Sequence, residues 1–419
     1  MNAAFTVNAF GCLFLAALAS ALAARLWLAE RQARHVRAHR GAVPPAFAGT
    51  IALAAHQKAA DYTVAKARLG MVDVCLSAAL VLALTFGGLL QWLSDAWARA
   101  AEAGGIAHGV ALIASVVALL SLAELPLVLY RTFVLEARFG FNRMTPRLFA
   151  IDLAKQALLA AALGIPLVTL VLWLMARMGE QWWIWVWLAW TAFNLLMLLI
   201  YPAFIAPLFN RFSPLEDRAL AERIEALLAR CGFRSGGLYV MDGSKRSSHG
   251  NAYFTGFGAA KRIVFFDTLL SRLAPGEVEA VLAHELGHFK RHHVWKRVAV
   301  LFAGSFALLW VLGRLIGEDW FYAGLNVATQ STATALLLFV LAVPAFTFFL
   351  QPLLSLHSRR HEFEADAYAA SHSSAAELVD ALVKLYQDNA ATLTPDPLHS
   401  AFYDSHPPAA IRIARLRTP

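Results

Sequence analysis

The sequence predicts an all-α multi-pass membrane protein carrying a small cytoplasmic α+β unit, and three observations support this. Of its 419 residues 59% are hydrophobic and only 15% charged, with a mean hydropathy of +0.56, far too apolar for an ordinary soluble domain. Seven apolar stretches are long enough to cross the hydrocarbon core, which takes about 20 residues as a helix. Lysine and arginine also crowd alternate loops, as the positive-inside rule requires.

The stretches lie near 4–24, 71–93, 107–130, 149–176, 183–206, 297–316 and 333–356. The first ends in Ala-x-Ala patterns near Ser20 to Ala24, but no basic residue precedes it, so a retained span is expected rather than a cleaved signal peptide. In the fourth, Asp152 and Lys155 are expected at the interface, with Lys155 snorkelling. Trp182, Trp183, Trp185, Trp187 and Trp190 crowd one end of the fifth and read as an interfacial aromatic belt.

The loop between spans one and two carries Arg25, Arg31, Arg34, Arg37, Arg40, Lys58, Lys66 and Arg68, and that between spans three and four Arg131, Arg138, Arg143 and Arg147. Residues 94–106 and 317–332 are poor in bases. The N-terminus is thus expected outside, with residues 207–296 and 357–419 on the cytoplasmic side. The chain divides into spans one to five with their loops (1–206), a cytoplasmic segment (207–296), spans six and seven (297–356) and a cytoplasmic tail (357–419). The net charge of +8 reflects this loop bias, and no nucleic-acid partner is expected. Cys12, Cys75 and Cys231 imply neither a disulfide framework nor a CxxC metal site.

In the cytoplasmic segment, residues 214–230 have the pattern of an amphipathic helix closed by Cys231-Gly232. Strand-like Leu238 to Met241 follows, then Asn251 to Phe257, a turn near Gly258 to Lys261, and Arg262 to Asp267. The tail carries helical patterns at about 355–371, at 375–391 and after Pro407-Pro408. So small a unit needs the spans and the tail to complete its core.

Pro275 and acidic residues in the first turn then open a helix that contains His284-Glu285-Leu286-Gly287-His288. Histidines four apart share one helix face and can hold one Zn²⁺, with Glu285 beside them as general base. Catalytic zinc usually takes three protein ligands. Ser358 to Ala369, helical by pattern, offers Glu362 and Asp366 on one face, with Glu364 pointing elsewhere; one carboxylate can bind metal while the other orients a ligand histidine. His292 and His293 compete for the role. An unbroken helix brings only its first two histidines to one metal, however, and Arg291 stands where a metzincin needs glycine, so Glu362 ranks first.

HELGH, then Ser358-Arg359-Arg360 and Glu362-Phe363-x-Ala365-Asp366-Ala367, resembles the integral-membrane zinc proteases of the CAAX prenyl protease 1 family. Phe139-Gly140-Phe141-Asn142, Ala206 to Asn210, His249-x-Asn251-Ala252-Tyr253-Phe254-x-Gly256-Phe257, and Ser405-His406-Pro407-Pro408 with Arg412 extend the similarity over most of the chain. One departure is Ile411, where relatives commonly carry an acid.

The resemblance implies a seven-span α-helical barrel around a chamber. It also implies one Zn²⁺ held by His284, His288 and Glu362, Glu285 as base, Asp366 behind a ligand, and His406 and Arg412 stabilising the tetrahedral intermediate. Residues 251–254 (Asn251, Ala252, Tyr253 and Phe254) would pair with the substrate backbone as an edge strand. The expected partners are the lipid bilayer and a peptide or protein substrate, prenylated in the CAAX case. The Ala- and Arg-rich composition reads as bacterial, which favours an inner-membrane location (endoplasmic reticulum if eukaryotic) and leaves an HtpX-like clearance role as the alternative. A metal or solute transporter, the alternative of another class, would want ionisable residues facing one another near mid-bilayer, and here they gather in cytoplasmic segments.

Overall fold

The structure is a computed structural model, described here for residues 8–255 and 262–417. Seven helices are long and apolar enough to span a membrane: Ala9–Ala38, Leu53–Leu84, Ile106–Glu136, Pro146–Arg177, Gly179–Phe209, His293–Leu315 and Thr332–His372. Successive spans pack on one another and the seventh also meets the first, so the helices close into a barrel.

Helix ends differ from the hydropathy windows. Span two begins at Leu53, inside what reads as a polar loop, because the intervening residues are rich in alanine, lysine, arginine and glutamine, which extend helices well in water. It stops at Leu84, and after Gly88, at φ +72°, a separate short helix, Leu89–Trp97, takes up the rest of the predicted window. The seventh span runs past its apolar part as one arm to His372. Part of the tryptophan cluster packs helix on helix. Trp183 and Trp187 meet Phe306 edge-on at 5.0 and 5.2 Å, Trp187 Nε1 donates to the Phe302 carbonyl at 2.9 Å, and Trp182 is buried, whereas Trp185 stays half exposed as a belt residue would.

The polar unit holds a four-stranded sheet in the order β1-β2-β4-β3, with β1 at Phe212–Pro214, β2 at Leu238–Met241, β3 at Ala252–Thr255 and β4 at Arg262–Phe266. β2 and β4 run parallel, and the other two pairings are antiparallel, with Ala252 opposite Phe265 and Tyr253 opposite Val264. β4 is central and its Ile263, Val264 and Phe265 are buried; β3 is an edge. The expected turn at Gly258 to Lys261, and Gly256-Phe257, lie outside the described residues. The amphipathic helix Arg218–Arg230 starts at an Asp217 cap and packs Ile224 and Leu227 into a core shared with Phe265, Leu282, Leu286 and Ala369. The tail therefore completes this core.

Asp152 is buried and accepts two hydrogen bonds from Arg246, at 2.8 and 3.1 Å, while Arg246 Nη1 reaches Asn210 Oδ1 at 2.8 Å. Arg246 thus ties Asp152, near the start of span four, to Asn210 after span five and to the polar unit. Lys155 donates to the Leu208 carbonyl at 2.6 Å.

Candidate metal centre and substrate strand

Helix Pro275–Lys290 carries HELGH. Pro275 occupies its first turn, where no backbone donor is needed, and the Glu277 carboxylate accepts from the Ala274 N–H at 2.7 Å. Its buried face, including Val278, Leu282 and Leu286, fixes the rotation that turns both histidines toward helix Gln351–His372. The helices approach so closely at Gly287 that a Cβ there would lie 2.9 Å from the Ala365 Cα.

At this crossing His284, His288 and Glu362 form one cluster, with a donor atom of each within 4.8 Å of the others. The two Nε2 atoms are 3.2 Å apart; Glu362 Oε2 lies 3.5 Å from His284 Nε2, and Oε1 lies 3.3 Å from His288 Nε2. Glu362 is buried, and its Oε2 has no hydrogen-bond partner among the described residues. Two inward imidazoles and an orphaned carboxylate oxygen are a donor set suited to a divalent cation such as Zn²⁺.

Each histidine has an orienting partner. Asp366 Oδ1 is 2.9 Å from His284 Nδ1, and Arg412 grips Asp366 with two hydrogen bonds of 2.8 and 2.6 Å. His288 Nδ1 lies 3.0 Å from His293 Nδ1, and His293 Nε2 lies 3.0 Å from Glu364 Oε2. His293 is buried and stacked on His361 at 3.9 Å. Glu364 thus points toward the second histidine's support and not simply away, a relation hidden in the sequence because His292, at φ +58°, breaks the helix between His288 and His293. His292 itself is exposed and outside the cluster.

Burial works against a charged His284, yet the Asp366 and Glu362 carboxylates outweigh it and push the imidazole up to about 9. Burial raises the half-buried Glu285 carboxyl above its ordinary range, which suits a group that takes and returns a proton. His406 Nε2 is 3.5 Å from Glu362 Oε1; burial within the protein lowers its pKa although its side chain stays open to a cavity. Arg412 is buried, engaged mainly by Asp366, and its Nη1 lies 3.8 Å from Glu362 Oε2. Ile411 beside it is half exposed, so the departure at that position does not touch the cluster.

Asn251 precedes β3 and accepts its own Ala252 N–H at 2.8 Å. Ala252 packs in the core that holds Leu282 and Leu286 of the HELGH helix, so the edge strand runs beside that helix with one side unpaired. Tyr253 and Phe254 are half-buried, Phe254 edge-on to Phe233 at 5.6 Å.

Comparison with known proteins shows the family. Residues 32–211 match the family described as CAAX prenyl protease N-terminal, five membrane helices, and residues 214–419 match peptidase family M48. A CAAX prenyl protease 1 homolog of Arabidopsis thaliana is 34% identical over 89% of this chain and 90% of its own. One of Homo sapiens is 35% identical over 71% of each. The crystal structure of S. mikatae Ste24p superposes with a TM-score of 0.90 at 31% identity, covering 98% of this chain and 99% of that one. These relatives are eukaryotic, so the bacterial source suggested by composition is not borne out.

Proposed function

The chain belongs to the CAAX prenyl protease 1 family and is a membrane-embedded M48 metallopeptidase, and from that premise we propose that it uses one Zn²⁺ to cut peptide bonds near the C-terminus of prenylated CAAX-type peptides. The observation that carries this reading is the convergence of His284, His288 and Glu362 from two helices, backed by Asp366. When bound there, zinc supplies Lewis acidity toward a carbonyl and acidifies water.

The protein's own groups do the rest. Asp366 and His293 hold the two ring Nδ1 positions, which leaves both Nε2 atoms free to ligate. The Glu285 carboxylate takes a proton from water and returns it to the leaving amine. β3, through residues 251–254, holds the substrate backbone extended by pairing on its open edge. His406 donates to the developing oxyanion, while Arg412 acts chiefly by fixing Asp366 and hence His284.

Loop charges support a cytoplasmic side for the metal centre and the tail and an outer side for the N-terminus. The match of residues 32–211 supports the CAAX-type reading over an HtpX-like one. The test is to incubate detergent-purified protein with a farnesylated CAAX peptide and its unprenylated counterpart and to map the products by mass spectrometry. Cleavage of the farnesylated peptide is expected; equal cleavage of both would refute prenyl specificity. Glu285→Gln should keep its metal and lose turnover, and retained hydrolysis by that variant would refute the assigned base.

A further inference from the structure

A cavity of about 580 Å³ lies between spans one and two and the tail, and its wall includes His406, 3.5 Å from Glu362. The space therefore adjoins the metal centre. Its size falls within the range of small-ligand pockets, about 300–1,000 Å³, enough for a short peptide end. Most of the wall is apolar, yet Arg25 of span one and Lys66 of span two both face it.

Among the described residues neither cation has an ion-pair partner within 4 Å. Among the described residues Arg25 makes no hydrogen bond or ion pair; its Nε is buried without a partner, and its guanidinium lies 4.7 Å from the Phe348 ring centroid. Lys66 Nζ sits 4.1 Å from the Tyr62 ring centroid and has no carboxylate within 4 Å. Of the nearby acids, Glu136 accepts from the Tyr62 hydroxyl at 2.5 Å and attracts Lys66 only from beyond ion-pair distance, and among the described residues Asp404, on the same wall, forms no ion pair with either cation. Other arginines are committed, Arg31 to Asp396, Arg246 to Asp152 and Arg412 to Asp366. Cations in an apolar-walled space are costly without an anion, and a guanidinium fork matches a carboxylate.

We infer that this cavity receives the free C-terminal carboxylate of the peptide substrate, with Arg25 and Lys66 as its cationic receptors. The inference rests on the peptidase reading, and it gives that reading a means of measuring distance: a peptide anchored by its terminus presents a bond a fixed number of residues upstream to the metal centre.

The test measures binding, so that it does not depend on hydrolysis. A fluorescent CAAX-type peptide with a free C-terminal carboxylate, and the same peptide as its C-terminal amide, are titrated into the Glu285→Gln protein by anisotropy. They are then titrated into that protein carrying Arg25→Gln, Lys66→Gln or both. The free acid should bind about ten-fold or more tightly than the amide. Each substitution should reduce that ratio and the pair should bring it close to one, while amide binding stays within about two-fold and shows that the variants are folded. Equal binding of acid and amide, a ratio unchanged by both substitutions, or no binding of either peptide would overturn the inference. Failure of the peptidase reading is separate: wild-type protein would cut neither peptide while the binding ratio stood.

Discussion

Gly287→Ala tests whether the crossing of the two metal-site helices sets the metal affinity. A Cβ at this position would lie 2.9 Å from the Ala365 Cα, 3.0 Å from the Tyr368 Cβ and 3.1 Å from the Ala365 carbonyl oxygen. Carbon atoms pack at about 3.5 Å or more, so the helices must separate by roughly half an ångström, and because the obstacles are backbone atoms and a Cβ, which no χ rotation moves, no rotamer change relieves it. Overpacking costs about 1–3 kcal/mol, but alanine regains about 1 kcal/mol over glycine within a helix, leaving a net loss of roughly 0–2 kcal/mol. Thermal stability should therefore fall by only a few degrees. The metal centre has less tolerance. Ala365 is one turn beyond Glu362 on the same helix, so the displacement passes to the carboxylate, and ligand distances hold only within about 0.2 Å. Zinc affinity, measured by competition with a chromogenic chelator, should drop about 10- to 100-fold, with peptidase activity following. A variant that binds zinc within threefold of wild type would refute the argument.

Other outcomes follow from the same geometry. His293→Ala removes the group behind His288 and should weaken zinc binding about 10-fold or more, with His293→Asn, which can still pair through its amide, recovering part of it; an unchanged chelator titration would show that the contact is incidental. Arg412→Ala leaves the buried Asp366 without its cation and should cost about 3–5 kcal/mol, read as a lower unfolding temperature in metal-free protein; a shift under a degree would contradict the buried-pair reading. Chelation should abolish peptidase activity and added Zn²⁺ restore it, and activity that survives metal removal would refute a metal-dependent mechanism.

Much of this was legible in the sequence because it is periodic or local. Apolar windows mark seven spans, helical spacing pairs His284 with His288, and the same spacing pairs Glu362 with Asp366. Helix ends were not legible, since polar residues such as Lys58 and Lys66 continue span two as readily as apolar ones. Relations across long separations were hidden as well. Asp152 and Arg246 meet across 94 residues of chain, and nothing periodic links them. The support of His288 by His293 depends on a left-handed residue at His292, which the helical pattern through that region does not announce. The tryptophans look alike in sequence, but only the barrel's closure decides that Trp187 faces span six while Trp185 faces outward.

The division of the proposed metal ligands between two helices also imposes an order in time. His288 precedes Glu362 by 362 − 288 = 74 residues, with the sixth span and the apolar part of the seventh between them. At about 5–20 residues per second, a ribosome needs roughly 4–15 s to supply the third ligand after the second. During that interval the emerging chain holds a pair of histidines and a general base with no carboxylate to complete them. With this proposed ligand set, the metal site is completed only when the seventh helix has been made.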